Sequence, residues 1–233
     1  MKLDNKRTVL VGLAFLSICA FWQMYDNIIP LILTNTFHLD ETLSGAIMAA
    51  DNVLALFLLP FFGALSDRTS TKIGRRMPFI LGGTACAAVL MNLLPIFDNA
   101  YAATHERGKL ALFVVALGLL LVAMGTYRSP AVALMPDVTP KPLRSRANAI
   151  INLMGAVGGI MYLAVAAVLY PNSKTEGLAH VNYQPLFIVV SVLMAASVII
   201  LYFTTNEPKL AAAEKEYEAE HPEQQLVEEE PDG

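Results

Sequence analysis

Cysteine, histidine and charged residues are scarce in this sequence. Of its 233 residues, two are cysteines, four are histidines and only 15% are Asp, Glu, Lys or Arg. Cys19 and Cys86 fall inside apolar runs, which is typical of small buried side chains and argues against a disulfide framework. No His or Cys grouping has the spacing of metal ligands, no nucleophile–base pair is present, and no basic patch indicates nucleic-acid binding. We therefore expect no enzyme, no metal site, no cofactor and no nucleic-acid partner.

Apolar residues, by contrast, make up 55% of the chain. They form six runs of about 19 to 25 residues, each long enough to cross roughly 30 Å of hydrocarbon as a helix. The runs cover residues 9–33, 43–65, 78–96, 110–134, 147–170 and 184–203. We predict an all-α membrane protein with an N-terminal segment (1–8), a six-helix transmembrane domain (9–204) and an acidic tail (205–233).

The distribution of basic residues orients these runs. With the N terminus inside, the inner segments hold twelve Lys and Arg residues, the outer loops hold three, and Arg128 lies within the fourth run. Lys and Arg close to the ends of membrane helices favour the cytoplasmic side. We therefore predict a multi-pass protein of the plasma (inner) membrane, embedded in the lipid bilayer with both termini cytoplasmic.

The acidic tail differs in composition from the rest of the chain. Residues 205–233 hold ten acidic side chains against two lysines, whereas the preceding residues hold fourteen basic and ten acidic ones. Residues 209–218 are rich in Ala, Lys and Glu and predict a surface helix. Residues 219–233 are acidic, contain two prolines and lack an apolar cluster, so we predict disorder there.

The connection between the second and third runs, residues 63–80, carries the most specific pattern; we call it the signature loop. Gly63 allows two helices to approach closely, Asp67 can cap a following segment, and Gly74 permits a sharp turn. Its basic residues are Arg68, Lys72, Arg75 and Arg76. Basic charge alone is common in cytoplasmic loops, but the Gly, Asp and Pro positions together are much less common.

Three ionisable residues lie inside the apolar runs: Asp26, Asp51 and Arg128. Each would be costly facing lipid, so they should face a shared interior or a water-filled cavity. One interpretation is a structural ion pair that locks helices together. The other follows from the count of charges, because two carboxylates and one guanidinium leave one carboxylate without a partner. Such a carboxylate can hold a proton, or a cation such as sodium can supply the missing charge.

Polar and aromatic side chains accompany these charges. Asp26 has Trp22, Gln23, Tyr25 and Asn27 beside it, while Asn52 follows Asp51 and Tyr127 precedes Arg128. Carboxylate, amide, guanidinium and aromatic groups together suit the hydroxyls and apolar faces of a sugar. Trp and Tyr also gather at membrane interfaces for reasons unrelated to ligands. We take all nine residues as candidates for binding a substrate or a coupling ion.

Three segments resemble one group of known transporters. The signature loop reads Ser-Asp-Arg-Thr-x-Thr and then Gly-Arg-Arg-x-Pro-Phe-Ile, the fourth run carries Tyr-Arg-Ser-Pro and Leu-Met-Pro-Asp (127–137), and the fifth opens with Arg-x-Arg-Ala-Asn-Ala (144–149). These motifs are similar to those of the major facilitator superfamily, in particular the sucrose–proton symporters and the glycoside–cation symporters. The resemblance implies the N-terminal half of such a transporter, six helices arranged as a 3+3 repeat.

The resemblance also implies roles for particular residues. Asp67, Arg68, Arg75 and Arg76 would form an inner gating loop with Asp137 as charge partner, and Gly63 and Gly74 belong to the same motif. Arg128 matches an arginine near the substrate in this group, and Asp26 and Asp51 are the candidates for coupling to protons or sodium.

Transporters of this superfamily have twelve helices, with the substrate between two halves. We therefore expect a second six-helix half, supplied by a continuation of the chain, a separate polypeptide or a second copy. The leading hypothesis is secondary active transport of a small polar solute, with a disaccharide as the first candidate, by alternating access. The alternatives are an efflux antiporter of drugs or metabolites and a truncated membrane module that does not transport.

Overall fold

A computed structural model describes residues 4–220. Over that range the chain is helical and contains no strand. The helices are α1 (Asn5–Leu31), α2 (Glu41–Arg68), α3 (Met77–Thr104), α4 (Arg107–Asp137), α5 (Arg144–Leu169), α6 (Gln184–Thr204) and α7 (Glu207–Glu220). A π-helical turn, Ile32–Thr36, continues α1, and two short turns cover Lys141–Leu143 and Asn172–Thr175. Helices α1 to α6 are long and apolar enough to cross a membrane, which confirms the prediction of an all-α protein with six such helices.

Capping residues and prolines define where several helices begin. Asp4 Oδ1 accepts a hydrogen bond from the Arg7 N–H at 3.1 Å, and Asp40 Oδ1 accepts one from the Leu43 N–H at 3.0 Å. Both bonds satisfy N–H groups that the first turn of a helix leaves free. Proline occupies the first turn of α3 and of α6, where its missing N–H costs no helical bond.

The helices extend beyond the apolar runs from which they were predicted. Helix α3 continues to Thr104 and α4 begins at Arg107, so most of residues 97–109, which lie between the third and fourth apolar runs and were predicted to form an outer loop, is helical. The predicted surface helix, 209–218, lies within α7. Of the tail predicted to be disordered, residues 219 and 220 belong to α7 and residues 221–233 lie outside the described residues, as do residues 1–3 of the N-terminal segment.

The packing of the six long helices is internally symmetric. Helix α1 packs against α5, and α2 packs against α4; likewise α3 packs against α4, and α1 packs against α6. Exchanging helices 1–3 with helices 4–6 converts the α1–α5 pair into the α4–α2 pair and the α3–α4 pair into the α6–α1 pair. The same exchange converts the α3–α6 pair into itself. This is the arrangement expected of two three-helix repeats related by a twofold axis.

A glycine allows the close contact between α1 and α5. A Cβ atom placed on Gly158 would overlap the main-chain carbonyl oxygen of Leu16 in α1. Because the obstacle is main chain, no side-chain rotation could relieve the overlap. Small residues at such positions let membrane helices approach backbone to backbone, where packing forces and weak hydrogen bonds hold them.

Helices α2 and α5 are the least enclosed of the six. Helix α2 exposes Val53, Leu56, Phe57 and Phe61, and α5 exposes Leu153, Ile160, Leu163 and Val168. The two helices correspond to one another in the three-helix repeat. Their apolar surfaces are suited to lipid or to another membrane helix.

We predict that Gly158→Ala lowers the free energy of unfolding by about 2 kcal/mol, because overpacking forces α1 and α5 apart. Gly118→Ala in α4 is the matched control, since no atom lies within 4 Å of a Cβ placed there. Thermal unfolding of both variants in the same detergent provides the comparison. Equal stability of the two variants would contradict the close contact.

Candidate functional site

Arg76, in the signature loop, is the most thoroughly paired charged residue in this region. Only 4% of its surface is exposed. Its guanidinium donates from Nε to Asp137 Oδ2 at 2.8 Å and from Nη1 to Ser66 Oγ at 2.5 Å, and it also pairs with Asp67. Nη1 lies 3.4 Å from the carbonyl oxygen of Gly63 as well. One side chain therefore joins the end of α2 to the end of α4.

Arg75 makes a second, bidentate contact with the same carboxylate. Its Nη2 lies 2.6 Å from Asp137 Oδ1 and its Nε lies 3.2 Å from Asp137 Oδ2, while Nη1 is 4.0 Å from Asp67. Asp137 thus accepts from two guanidinium groups, and paired planar contacts of this kind are strong and directional. Four of the predicted gating residues, Asp67, Arg75, Arg76 and Asp137, meet in one network.

Glu207 completes this network and was not found by sequence reasoning. Its Oε1 accepts hydrogen bonds from the N–H groups of Arg75 (2.8 Å) and Arg76 (2.9 Å), and its Oε2 accepts one from Met77 (2.9 Å). The carboxylate therefore sits at the N terminus of α3, where a negative charge is stabilised by the helix dipole. Through Glu207, the first turn of α7 is anchored to the signature loop.

The geometry of the loop explains its two glycines. Gly74 has φ +116°, which an L side chain rarely adopts, and a Cβ atom there would overlap the carboxylate of Glu207. A Cβ atom on Gly63 would lie 3.1 Å from Ser129 Oγ in α4. Ser129 in turn donates to the carbonyl oxygen of Leu59 in α2 at 2.7 Å. Arg68, the remaining predicted gating residue, is exposed at the end of α2.

Three of the predicted substrate or ion residues line one narrow cleft between α1, α2 and α4. They are Trp22, Asp51 and Arg128, and Leu58 and Met124 are among the apolar residues beside them. The Arg128 guanidinium carbon lies 5.5 Å from the centroid of the Trp22 ring. At that distance the positive charge is attracted to the face of the ring.

Polar atoms next to this cleft are buried without partners. The Trp22 Nε1 and Tyr25 hydroxyl groups have no hydrogen-bond partner among the described residues. Their rings are in edge-to-face contact, with centroids 5.3 Å apart. A buried donor without a partner costs free energy, so both groups are available to a ligand or to another protein surface.

Asp26 and two amide residues lie on an open face of α1. Gln23, Asp26 and Asn27 are exposed, whereas Tyr25 beside them is buried. Asn27 Nδ2 donates to the carbonyl oxygen of Gln23 at 2.6 Å. The carboxylates of Asp26 and Asp51 are close enough for their charges to interact.

Asn52 and Tyr127 occupy different surroundings. Asn52 donates to Asp51 Oδ1 from its main-chain N–H (2.6 Å) and from Nδ2 (2.8 Å), so it holds that carboxylate in place. Tyr127 is fully buried, and its hydroxyl lies 2.5 Å from Ser17 Oγ and donates to the carbonyl oxygen of Ala14 at 3.0 Å. Tyr127 is therefore directed at α1 and away from the cleft.

A further polar cluster lies at the end of the bundle opposite the signature loop. It contains Asp98 of α3, which is fully buried, and His180 from the connection before α6. Sequence reasoning placed Asp98 in a loop because the apolar run ends at residue 96. The helical continuation to Thr104 turns the side chain inward, and nothing in the local sequence indicates His180 as its neighbour.

Comparisons with known proteins show the family of the chain. The family model of the Major Facilitator Superfamily matches residues 11–228. The chain is 27% identical over 145 residues to sucrose transport protein SUC3 of Arabidopsis thaliana, an overlap that covers 57% of this chain and 24% of that protein. It is 28% identical over 212 residues to sucrose transport protein SUT3 of Oryza sativa subsp. indica, covering 80% of this chain and 42% of that one.

A bacterial relative gives a similar picture. The chain is 26% identical over 193 residues to YagG, a candidate glycoside/cation symporter of Escherichia coli, covering 81% of this chain and 40% of that protein. The chain spans less than half the length of these curated relatives. The matches confirm the resemblance that the three motifs indicated. The protein is an integral multi-pass membrane protein, and it belongs to the Major Facilitator Superfamily.

Proposed function

We propose that these six helices form one half of a secondary active transporter that moves a sugar or a similar polar solute with protons or another cation. The observation that carries this proposal is the cleft in which the Arg128 guanidinium lies over Trp22, with Asp51 in the same wall. The relatives named as sucrose transport proteins and as a candidate glycoside/cation symporter support it. The sequence bias of Lys and Arg supports cytoplasmic termini in the plasma (inner) membrane.

The chemistry of the cleft suits a sugar. A guanidinium and a carboxylate offer donors and acceptors to neighbouring hydroxyl groups, and the Trp22 ring offers an apolar face for stacking. The Trp22 Nε1 and Tyr25 hydroxyl groups add two buried donors without partners in the described chain. Efflux of an apolar cation would be opposed by the positive charge of Arg128, so this arrangement favours the polar solute over the drug antiporter.

The balance of charges provides a basis for coupling. Asp26 and Asp51 are near one another, and no ion pair within 4.0 Å joins Arg128 to either carboxylate in the part of the chain described. A proton or a cation on one carboxylate would reduce the repulsion between them. Binding of the ion would then favour binding of the substrate, which is the linkage that a symporter needs.

The open polar face requires a cover. In a bilayer, Gln23, Asp26 and Asn27 would face hydrocarbon unless protein or a water-filled cavity lay against them. A second six-helix half placed against this face would enclose the cleft. The oligomeric state of the chain, predicted below, distinguishes a second copy from a continuation or a separate polypeptide as the source of that half.

The signature-loop network would act as the inner gate. The network consists of Arg75, Arg76, Asp67, Asp137 and Glu207. It joins the C-terminal ends of α2 and α4 and the first residue of α7 to the start of α3. Many specific, directional bonds of this kind form in one arrangement of helices and are lost in another, so they can stabilise one state of an alternating-access cycle.

We predict that Arg128→Ala, introduced into a complete carrier made of these six helices and the second half, reduces uptake of labelled sucrose, driven by an imposed proton gradient, to the level of empty vesicles. The variant loses the guanidinium and leaves Asp51 without a cation nearby. Arg107→Ala is the matched control, because Arg107 is an exposed residue at the start of the same helix. Unchanged uptake by Arg128→Ala, with the wild type active, would refute the role of the cleft.

We predict that Glu207→Gln lowers the free energy of unfolding by about 2 kcal/mol, because a buried, charged acceptor of three main-chain N–H bonds becomes a neutral amide. It should also speed tryptic cleavage at Lys209 as α7 detaches. Glu216→Gln, an exposed site on the same helix, should behave as wild type. Indistinguishable stability and cleavage of the two variants would show that Glu207 does not anchor α7.

We predict that the chain, purified alone in lipid nanodiscs, forms a dimer, because self-association covers the polar face of α1. Light scattering with the lipid and belt-protein mass subtracted gives the oligomeric state. Replacing Gln23, Asp26 and Asn27 together by Leu should shift the population toward monomer. A stable wild-type monomer would mean that a different polypeptide segment supplies the second wall.

A further inference from the structure

Three separate segments meet at His180, at the end of the bundle opposite the signature loop. His180 belongs to the connection between α5 and α6, residues 170–183, here called the α5–α6 connection. Its Nε2 lies 2.8 Å from Asn99 Oδ1 in α3, and its Nδ1 lies 3.3 Å from Thr36 Oγ1 in the π-helical turn after α1. One imidazole ring therefore holds the connection against α1 and α3.

The surrounding amides determine which ring nitrogen carries hydrogen when His180 is neutral. The main-chain N–H of Gln184 donates to Asn182 Oδ1 at 2.9 Å, so that oxygen is an acceptor. Asn182 Oδ1 also accepts a hydrogen bond from Asn99 Nδ2 at 2.9 Å. Because the Asn99 amide nitrogen points at Asn182, its Oδ1 points at the His180 ring. His180 must then donate from Nε2, and its Nδ1 accepts from the Thr36 hydroxyl.

Asp98 is the charged neighbour of this ring. It is fully buried, and its Oδ2 lies 3.8 Å from His180 Nε2. The Thr36 side chain lies beside the carboxylate, although neither oxygen makes a hydrogen bond of full geometry in the described part of the chain. An ionised carboxylate in such surroundings is strongly destabilised unless a positive charge accompanies it.

Other ionisable groups near the pair do not supply that charge. Burial, and then the charge of Asp98, raise the pKa of the Tyr183 hydroxyl, which therefore stays neutral. The Tyr170 hydroxyl donates to the carbonyl oxygen of Asn182 at 2.8 Å. Helix α6 contains no Asp, Glu, Lys, Arg or His, and His38, beyond Thr36, is exposed. His180 is therefore the residue that can place a positive charge beside an ionised Asp98.

The docked arrangement accordingly retains one proton. Either Asp98 is protonated beside a neutral imidazole, or Asp98 is ionised beside an imidazolium that carries its second hydrogen on Nδ1. The Thr36 hydroxyl accommodates both forms, because it can donate to Nδ1 or accept from it. Removal of the proton leaves a buried carboxylate beside a neutral ring, and the two residues titrate as a unit.

We propose that Asp98 and His180 form a proton-binding site whose occupancy keeps the α5–α6 connection docked on α1 and α3. Loss of the proton releases the connection, which lets water reach Asp98. The site lies away from the cleft of Arg128, and the proposal does not depend on the transport function. Its ligand is a proton taken from the aqueous phase at that end of the bundle.

The direction of the pH dependence follows from the number of protons bound. The docked form holds one proton more than a released form in which Asp98 is ionised and His180 is neutral in water. Docking is therefore favoured at low pH and is lost as pH rises. The population of the released form, relative to the docked form, grows about tenfold per pH unit while the docked form holds one more proton, and it levels off once the docked pair has also lost its proton.

Hydrogen–deuterium exchange of the full chain in nanodiscs, from pH 5.5 to pH 8.5, tests the proposal after correction for intrinsic amide exchange. In the wild type, protection of residues 176–183 should fall as pH rises, while the core of α3 stays protected. Asp98→Asn removes the carboxyl that would be left buried and ionised, so protection should no longer fall as pH rises. Asp40→Asn, an exposed N-cap at the same end, should keep the wild-type pH dependence.

His180→Gln provides a second variant should Asp98→Asn fail to fold. With the imidazole gone, only the Asp98 carboxyl can hold the proton, and the midpoint of the protection change should move to lower pH. His105→Asn, an exposed histidine at the end of α3, should leave the midpoint unchanged. Protection in the wild type that does not vary with pH, or an unaltered pH dependence in either test variant, would overturn the proposal.

Discussion

A single buried guanidinium, that of Arg76, connects more of this protein than any other side chain of the signature loop. The guanidinium contacts Asp137, Asp67 and Ser66. The main-chain N–H of the same residue donates to Glu207. A buried charge is tolerated only when its hydrogen-bonding capacity is met, so the ends of α2, α4 and α7 must converge around it. The start of α3 and the positive φ of Gly74 follow from the same requirement.

The polar groups of the protein are arranged at three levels along the bundle. The signature-loop network lies at one end, the cleft of Arg128 between α1, α2 and α4, and the Asp98–His180 pair at the other end. Between these levels the helices are held by apolar packing and by close contacts such as that of Gly158 with α1. In a bilayer this separation confines charged groups to places where protein or water can satisfy them, and it leaves the open face of α1 as the surface that requires a cover.

Much of this organisation could be predicted from local sequence, because hydrophobic runs of membrane length and short motifs are contiguous. The six helices belong to this class, whereas the meeting of Arg75 and Arg76 with Asp137 was expected only from the resemblance to known transporters. The direction of side chains could not be predicted. Tyr127 and Arg128 are adjacent in the chain, yet successive residues of a helix point about 100° apart, so one hydroxyl is buried against α1 while the other side chain lines the cleft.

The sequence by itself determined the class of protein, the number of helices and the residue types available for a charged loop, since each of these depends on composition and spacing along the chain. Only the tertiary structure decided which distant groups pair. Glu207 reaches the signature loop across more than 130 positions, and His180 reaches Asp98 across about 80. No local pattern encodes such contacts, because they arise from the packing of helices that bring separate ends of the chain together.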